Sequence, residues 1–320
     1  MVNKSATSIH CLSTDHDANA DMFLQILMII EMIMGLPGSV LALWIFCFRI
    51  RVWKPHIIFL FNLVLADFLL LVSVPFRIDV HHRQEGWVLG PTWCSINLFM
   101  LNVNRTASIA FMTVVALDRY FKVVHPLRSI SKMSSAQALW LTGLIWIAVF
   151  VLGTPLLATN LLHEHGNANR CRSFDSYEVT PLPIKIYYVS YIVEFFLPWL
   201  LLLFCSAQII FHLHRRKVNN KKWVRCAVRA VVVISVVFTL CFMPSVITGL
   251  LGSYIKVARP NDCKTYIRVT RFFKICIGFT YLNSALDPII YVFSSSVFRA
   301  TLRNVISFKK KETRPASSTY

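Results

Sequence analysis

The stretch from Cys94 to Pro126, CSINLFMLNVNRTASIAFMTVVALDRYFKVVHP, carries Arg105 in the middle of an apolar run and Arg119 at its end. An arginine stays ionised under all ordinary conditions and presents a planar fork of donors that fits a carboxylate bidentately. Inside a bilayer such a residue is costly and marks a functional position by default. The two arginines lie 14 residues apart, about 21 Å along a helix, so one sits within the membrane and the other at its surface. Each needs a partner. For Arg105 the choice is between an anionic ligand and a structural ion pair with Glu31, Glu194 or Asp79.

An element that holds an arginine at that depth must span a membrane, and the rest of the chain agrees. Its 320 residues are 56% hydrophobic with mean hydropathy +0.59, too apolar for a soluble domain. Apolar runs near the bilayer-spanning length of about 20 residues recur seven times: Met22–Phe48, His56–Val80, Trp93–Val124, Ala136–Leu161, Ile184–Phe211, Ala227–Tyr254 and Phe272–Phe293. The expected fold is therefore an all-α membrane protein, a seven-transmembrane helix bundle followed by a short amphipathic eighth helix. Residues 1–21 form an N-terminal arm and 22–293 the bundle. Over 294–308, Phe298, Leu302, Val305 and Ile306 alternate with basic residues, the pattern of a helix lying on the membrane. Residues 309–320 read as a disordered tail.

Lys and Arg concentrate on the cytoplasmic side of membrane proteins. The segments Arg49–Lys54, Asp118–Lys132, Arg215–Arg229 and Arg299–Arg314 hold 20 basic and 2 acidic residues, and the remainder balances at 13 of each. The whole net charge of +18 thus falls on the side of the C-terminus, which places the N-terminus outside. Anionic lipid headgroups and an acidic cytoplasmic partner account for this charge better than nucleic acid does. Asn3 opens an acceptor sequence for glycosylation on the outer side. Four cysteines fall on that oxidising side and admit three pairings. The expected ones are Cys94–Cys171, fastening the third helix to the long loop before the fifth, and Cys11–Cys263, fastening the arm to the last outer loop.

Prolines sit inside six spans, at Pro37, Pro75, Pro155, Pro198, Pro244 and Pro288, where each frees a carbonyl and permits a bend. Neither HExxH nor GxSxG occurs and the histidines lie in loops or near span ends, so an enzyme is not expected. An ion channel or transporter is a remote alternative, without the internal repeat or the broken glycine-rich half-helices of such proteins.

The segment LDRYFKVVHP resembles the rhodopsin-like G-protein-coupled receptors. So do NLVLADFLL with Asp67, GLIWI with Trp146, EFFLP with Pro198, CFMP with Phe242 and Pro244, and NSALDPIIY with Asp287, Pro288 and Tyr291. Ser39 stands where the family usually has asparagine, Phe242 where tryptophan is commoner, and Asp287 where asparagine is. The resemblance implies a plasma-membrane receptor with a ligand pocket outside and a cleft for a heterotrimeric G protein inside. It also implies that Arg119, flanked by Asp118 and Tyr120, pairs with Asp118 at rest and turns toward the G protein on activation. No acid in Lys221–Arg225 faces it, so the latch is expected to be weak and basal signalling measurable. Asp67, Ser108, Asn283, Ser284 and Asp287 are expected to line one small polar cavity, with a sodium ion on Asp67 and Asp287 as its occupant and a protonated, water-linked network as the alternative. No other cofactor is expected.

Within the family, NLFMLNVNRTASI, VVHP, EFFLP, CFMPS and FTYLNSALDPIIYVFSS are similar to the hydroxycarboxylic acid and oxoeicosanoid receptor branch. This implies a carboxylate ligand and coupling to G proteins of the Gi/o class. Arg105 then matches the branch's carboxylate-binding arginine, Tyr281 its seventh-helix tyrosine, Ser173 and Phe174 the segment after the loop cysteine, and Arg77 an arginine of some members. Gly249 stands where several small-acid members have arginine, which favours an oxidised fatty acid, an oxo- or hydroxy-eicosanoid, over lactate, hydroxybutyrate or a nicotinate-like acid. Receptor kinases and arrestin are further partners, with Ser317, Ser318 and Thr319 as phosphorylation candidates.

Overall fold

A computed structural model describes residues 18–83, 87, 89–127, 132–158, 161–165, 168–171, 182–216, 222–259, 262–294 and 298–304. Seven long helices follow one another: α1 (Ala18–Trp44), α2 (Pro55–Arg83), α3 (Gly90–Val124), α4 (Ser135–Ala158), α5 (Leu182–Arg216), α6 (Lys222–Ala258) and α7 (Cys263–Ser294). Each contains a stretch long and apolar enough to cross a membrane. In lipid a backbone must bond to itself, and a helix does so within one segment. A short α8 follows over residues 298–304.

α3 is the central post, packed against α2, α4, α5 and α6, while α7 lies between α1 and α6. Glycine permits the α1–α7 approach: a Cβ at Gly38 would stand 2.9 Å from Pro288 Cγ, and one at Gly278 would collide with Leu27. All six prolines named above lie inside helices. Pro244 leaves the Leu240 carbonyl without its helical donor, and one turn further on Thr248 Oγ1 donates to the Pro244 carbonyl at 2.7 Å. Surface and interior are both apolar, as a bilayer solvent requires: Val236, Leu240 and Ile247 are exposed on α6.

Several boundaries differ from the hydropathy reading. α7 starts at Cys263, nine residues before the expected Phe272, because Lys264, Arg268 and Arg271 lower the hydropathy of a turn sequence that is nonetheless helical. Asp262 caps that start, accepting from the Thr265 N–H at 3.2 Å, and the hydrogen bonds from the Thr265 side chain and N–H hold its carboxyl below the usual carboxylate range. α1 starts at Ala18, inside the expected arm, and ends in a wider π-helical turn at Ile45–Arg49. Between α4 and α5 an antiparallel hairpin, β1 (Leu162–His165) and β2 (Ala168–Cys171), was not expected. Its only sequence signal is the intervening Gly166-Asn167, a hairpin-type dipeptide.

The Cys94–Cys171 disulfide ties this hairpin to α3, with an S–S distance of 2.03 Å. Trp87, Leu98, Leu156 and Leu161 pack round Cys94, and Trp87 Nε1 donates to the Gly90 carbonyl at 2.8 Å. The second expected pairing reaches outside the described residues at Cys11; its described end, Cys263, is disulfide-bonded. Asn3, Ser173, Phe174 and the tail serines also lie outside the described residues.

Candidate ligand and activation sites

Arg105 points from α3 to α5. Its Nη2 lies 3.4 Å from Glu194 Oε2 and donates to Asn102 Oδ1 at 3.1 Å, and the guanidinium carbon stands 3.9 Å from the centre of the Tyr191 ring. Helical spacing builds this arrangement. Tyr191 and Glu194 share a face of α5, and Asn102, Arg105 and Thr106 share one of α3. Thr106 Oγ1 donates to the same Glu194 oxygen at 2.9 Å. Of the three carboxylates weighed against a ligand, Glu194 is therefore the internal partner. It engages only Nη2, and the Nε and Nη1 edge of the fork makes no hydrogen bond among the described residues.

Arg77 and Tyr281 are brought together. Arg77 Nη1 donates to the Tyr281 hydroxyl at 2.8 Å and Nε donates to Asn97 Oδ1. Asn97 in turn donates to the Ser73 carbonyl at 3.1 Å, so α2, α3 and α7 are cross-linked by one polar chain. Asn97 and Tyr281, the partners of Arg77 among the described residues, are both neutral groups. Asn97 precedes Arg105 by eight residues on α3, about 12 Å of helix rise, so the two cations occupy separate levels. Lys274 does not join them: it pairs with Asp21 of α1 at 3.3 Å. Gly249 packs against Phe273 of α7: a Cβ there would stand 3.1 Å from Phe273 Cε2.

Glu31 is not a partner of either arginine. It is wholly buried in α1 and neither carboxyl oxygen has a hydrogen bond. Burying a polar group without a partner costs stability, so Glu31→Met, which keeps the volume and removes both orphan oxygens, is expected to raise the melting temperature of the purified receptor. An unchanged or lower melting temperature would mean that the carboxyl has a stabilising partner.

Ten residues before Arg77 on α2, Asp67 is the hub of a buried network. Its Oδ1 accepts from Ser284 Oγ at 2.9 Å and Asn104 Nδ2 at 3.2 Å, and its Oδ2 from the Tyr291 hydroxyl at 2.7 Å. Asn283 Nδ2 donates to Asp287 Oδ2 at 3.2 Å, and the carboxyls of Asp67 and Asp287 are side-chain neighbours. Asp67, Ser108, Asn283, Ser284 and Asp287 are all inaccessible to solvent. Asn104 was missed in the sequence because it sits in a glycosylation-like triplet; its signal was the spacing to Ser108, one turn on along the same face. Ser39 Oγ is buried with no partner, which agrees with a weakened contact where the family has asparagine. Asn62 instead joins α2 to α4 by accepting from Trp146 Nε1 at 2.8 Å.

At the basic end the expected Arg119–Asp118 pair is not formed. Asp118 pairs with Lys122 at 2.6 Å, one turn along α3, and Arg119 Nη2 donates to the Ser294 carbonyl of α7 at 2.8 Å. The reason is directional: a lysine four residues on from an aspartate lies directly over it, whereas Arg119, the next residue, projects elsewhere toward the end of α7. Tyr120 contacts His125, with its hydroxyl 3.3 Å from Nε2. Phe242 is buried edge-on against Phe238, 5.3 Å between ring centres, and Phe238 stacks on Phe195. Pro244 stands two residues after Phe242 in α6, and Pro288 stands in α7 against Gly38 of α1.

Residues 38–291 match the family described as 7 transmembrane receptor (rhodopsin family). The chain is 41% identical over 270 residues to human hydroxycarboxylic acid receptor 3, covering 84% of this chain and 69% of that one. It is 34% identical over 295 residues to human oxoeicosanoid receptor 1, covering 92% and 75%. It is also 34% identical over 291 residues to the mouse 12-(S)-hydroxy-5,8,10,14-eicosatetraenoic acid receptor, covering 90% of each. Seven apolar helices crossing the bilayer, and a match running from α1 to the end of α7, show that the chain belongs to the rhodopsin family of G-protein-coupled receptors, multi-pass plasma-membrane proteins that bind small molecules and couple to heterotrimeric G proteins rather than catalyse reactions.

Proposed function

We propose that this receptor recognises an extracellular carboxylic acid, an oxidised fatty acid of the oxo- or hydroxy-eicosanoid class, and signals through Gi/o to lower cAMP, with its N-terminus outside. The observation that carries the reading is the Nε and Nη1 edge of the Arg105 fork, donors at membrane depth that no described residue engages. The ligand carboxylate binds that edge. Arg77 and Tyr281, about 12 Å nearer the disulfide end, supply a second polar station for an oxygen function further along a long acid. Phe273 covers Gly249 and gives that wall an aromatic surface without a third cation, which suits an acyl chain.

A small hydroxycarboxylic acid is the second reading, favoured by the higher identity to hydroxycarboxylic acid receptor 3. The buried cavity would hold a sodium ion. Ser108 Oγ, Asn283 Oδ1 and Asp287 Oδ1 are buried oxygens without a hydrogen-bond partner, and oxygen donors of this kind suit a hard cation. Such an ion would offset the charge of the Asp67–Asp287 pair.

The test is Gi activation in cells expressing wild type and Arg105→Ala at matched surface levels, across oxo- and hydroxy-eicosanoids, lactate, hydroxybutyrate and nicotinate. A lipid-acid response blocked by pertussis toxin and lost in the variant is expected, over a basal signal in ligand-free wells. A response confined to lactate or hydroxybutyrate selects the small-acid reading. Silence toward every carboxylate rejects both.

A further inference from the structure

At the basic end, between α6, α7 and α8, lies a cavity of about 270 Å³ lined by Arg225, Cys226, Arg229, Phe293 and Arg299. It is separate from Arg105 and Arg77, which lie toward the disulfide end, and from the Asp67 network. Three of its five described lining residues are guanidinium groups, and none is a carboxylate. Arg299 Nη2 reaches inward to Cys226 Sγ at 2.8 Å, and that thiol donates to the Phe293 carbonyl at 3.2 Å. A thiol is a weak acceptor and leaves most of the Arg299 fork available. The volume is several times that of a water molecule, at about 30 Å³ each, and is fit for a multiply charged anion.

The direction in which the site faces identifies the anion. Arg225 and Arg229 are both exposed, and continuing along α6 by three and four residues gives Val232, Val236 and Leu240, all exposed and apolar. Steps of three and four keep residues on one face of a helix, so the two arginines form the basic foot of the stripe that α6 turns to the lipid tails. On α7 the exposed Ile289 stands one turn from Phe293 on the same face. Arg299 comes from α8, whose Phe298 is buried against Phe46 and Tyr291, and this anchors its first turn at the level where headgroups begin. The guanidiniums thus collect at the rim of a lipid-facing wall, with Arg119, bonded to the Ser294 carbonyl, as a further cation near Cys226. Basic pockets between helices at a cytoplasmic surface suit phosphorylated lipid headgroups, and a guanidinium fork fits phosphate oxygens bidentately.

We propose that this cavity binds the headgroup of an inner-leaflet lipid bearing phosphate monoesters. Bound there, the headgroup bridges α6 to α8 through Arg225 or Arg229 and Arg299. It resists outward movement of the end of α6 for as long as it stays.

Full-length receptor in phosphatidylcholine nanodiscs, titrated with fluorescent phosphatidylinositol 4,5-bisphosphate, tests this. Each arginine changed to glutamine is expected to weaken binding about fivefold, and Arg225→Gln/Arg229→Gln/Arg299→Gln together about a hundredfold. The control Arg49→Gln/Arg51→Gln/Lys54→Gln, which removes equal charge from the same membrane face, should bind as wild type does. Phosphatidylserine at equal charge and soluble inositol 1,4,5-trisphosphate should compete weakly. If the triple variant does not yield a monodisperse receptor, Arg229→Gln alone, at an exposed position, carries the test. Unchanged binding in the arginine variants, or equal loss in the control, overturns the proposal. So does equal competition by phosphatidylserine, trisphosphate binding as tight as the lipid's, or loss in the triple variant of G-protein-peptide binding alone.

Discussion

Changing Glu194 to glutamine is expected to make the receptor more sensitive to a carboxylate agonist, lowering its half-maximal concentration about tenfold. Glu194 holds one nitrogen of Arg105 at 3.4 Å, so a ligand carboxylate on the remaining edge arrives within a few ångströms of a like charge. Two such charges about 6 Å apart repel by about 3 kcal/mol at an effective dielectric constant of 20, and part of that gain is lost because the glutamate also steadies the fork. Glutamine keeps an acceptor for Thr106 and Arg105 and removes the charge. Arg105→Ala should act in the opposite sense, with a loss beyond a hundredfold, but it also strands Glu194. An uncompensated buried charge costs about 3–5 kcal/mol, enough to lower surface expression. Arg105→Ala/Glu194→Gln separates the two effects, since expression should recover while the agonist response stays absent. Unchanged potency in Glu194→Gln together with a normal response in Arg105→Ala would show that the ion pair is structural and the ligand anchor lies elsewhere. Concentration–response curves at matched surface density decide between these outcomes.

The bundle was legible because a membrane imposes a length and a composition on every span, and the basic residues cluster in four short segments. The site was legible where polarity is out of place. Arg105, Asp67 and Asp287 stand alone in apolar runs, so each announces a buried partner. Which partner is a matter of helix rotation and inter-helix depth, and periodicity does not carry that. Arg119 shows the limit. Its neighbour Asp118 looks like its natural mate, yet in a helix adjacent residues diverge by about 100°, and Lys122 takes the aspartate instead. The start of α7 was obscured for the opposite reason: four basic residues over Lys264–Lys274 mask a helix that its Asp262 cap begins. The packing of Phe273 of α7 against Gly249 was illegible because it is a contact between residues 24 apart in the chain.

The Asp67 network predicts a sharp difference between two substitutions of one residue. Asp67→Ala leaves the Ser284 hydroxyl, the Asn104 amide and the Tyr291 hydroxyl as buried donors without an acceptor. Each costs about 1–3 kcal/mol, together as much as the net stability of many domains, about 5–15 kcal/mol, so the receptor should be retained inside the cell. Asp67→Asn keeps an oxygen for Ser284 and Asn104 and offers Tyr291 only an amide nitrogen, which does not accept. This variant should fold with Tyr291 released. Tyr291 lies three residues before Ser294, whose carbonyl holds Arg119, so freeing it loosens the only hydrogen bond that Arg119 makes among the described residues. Loss of one buried hydrogen bond, about 1–1.5 kcal/mol, should raise ligand-free nucleotide exchange severalfold, up to about tenfold. Tyr291→Phe removes the same bond from the other side and should raise basal exchange equally. The two variants part over sodium. Asp67→Asn removes a charged ligand of the proposed ion and should abolish the difference between exchange in sodium and in an organic cation, whereas Tyr291→Phe should keep it. Sodium sensitivity that survives in Asp67→Asn would leave the cavity a hydrogen-bonded network of acids and amides, with the tie between α2 and α7 as its whole function.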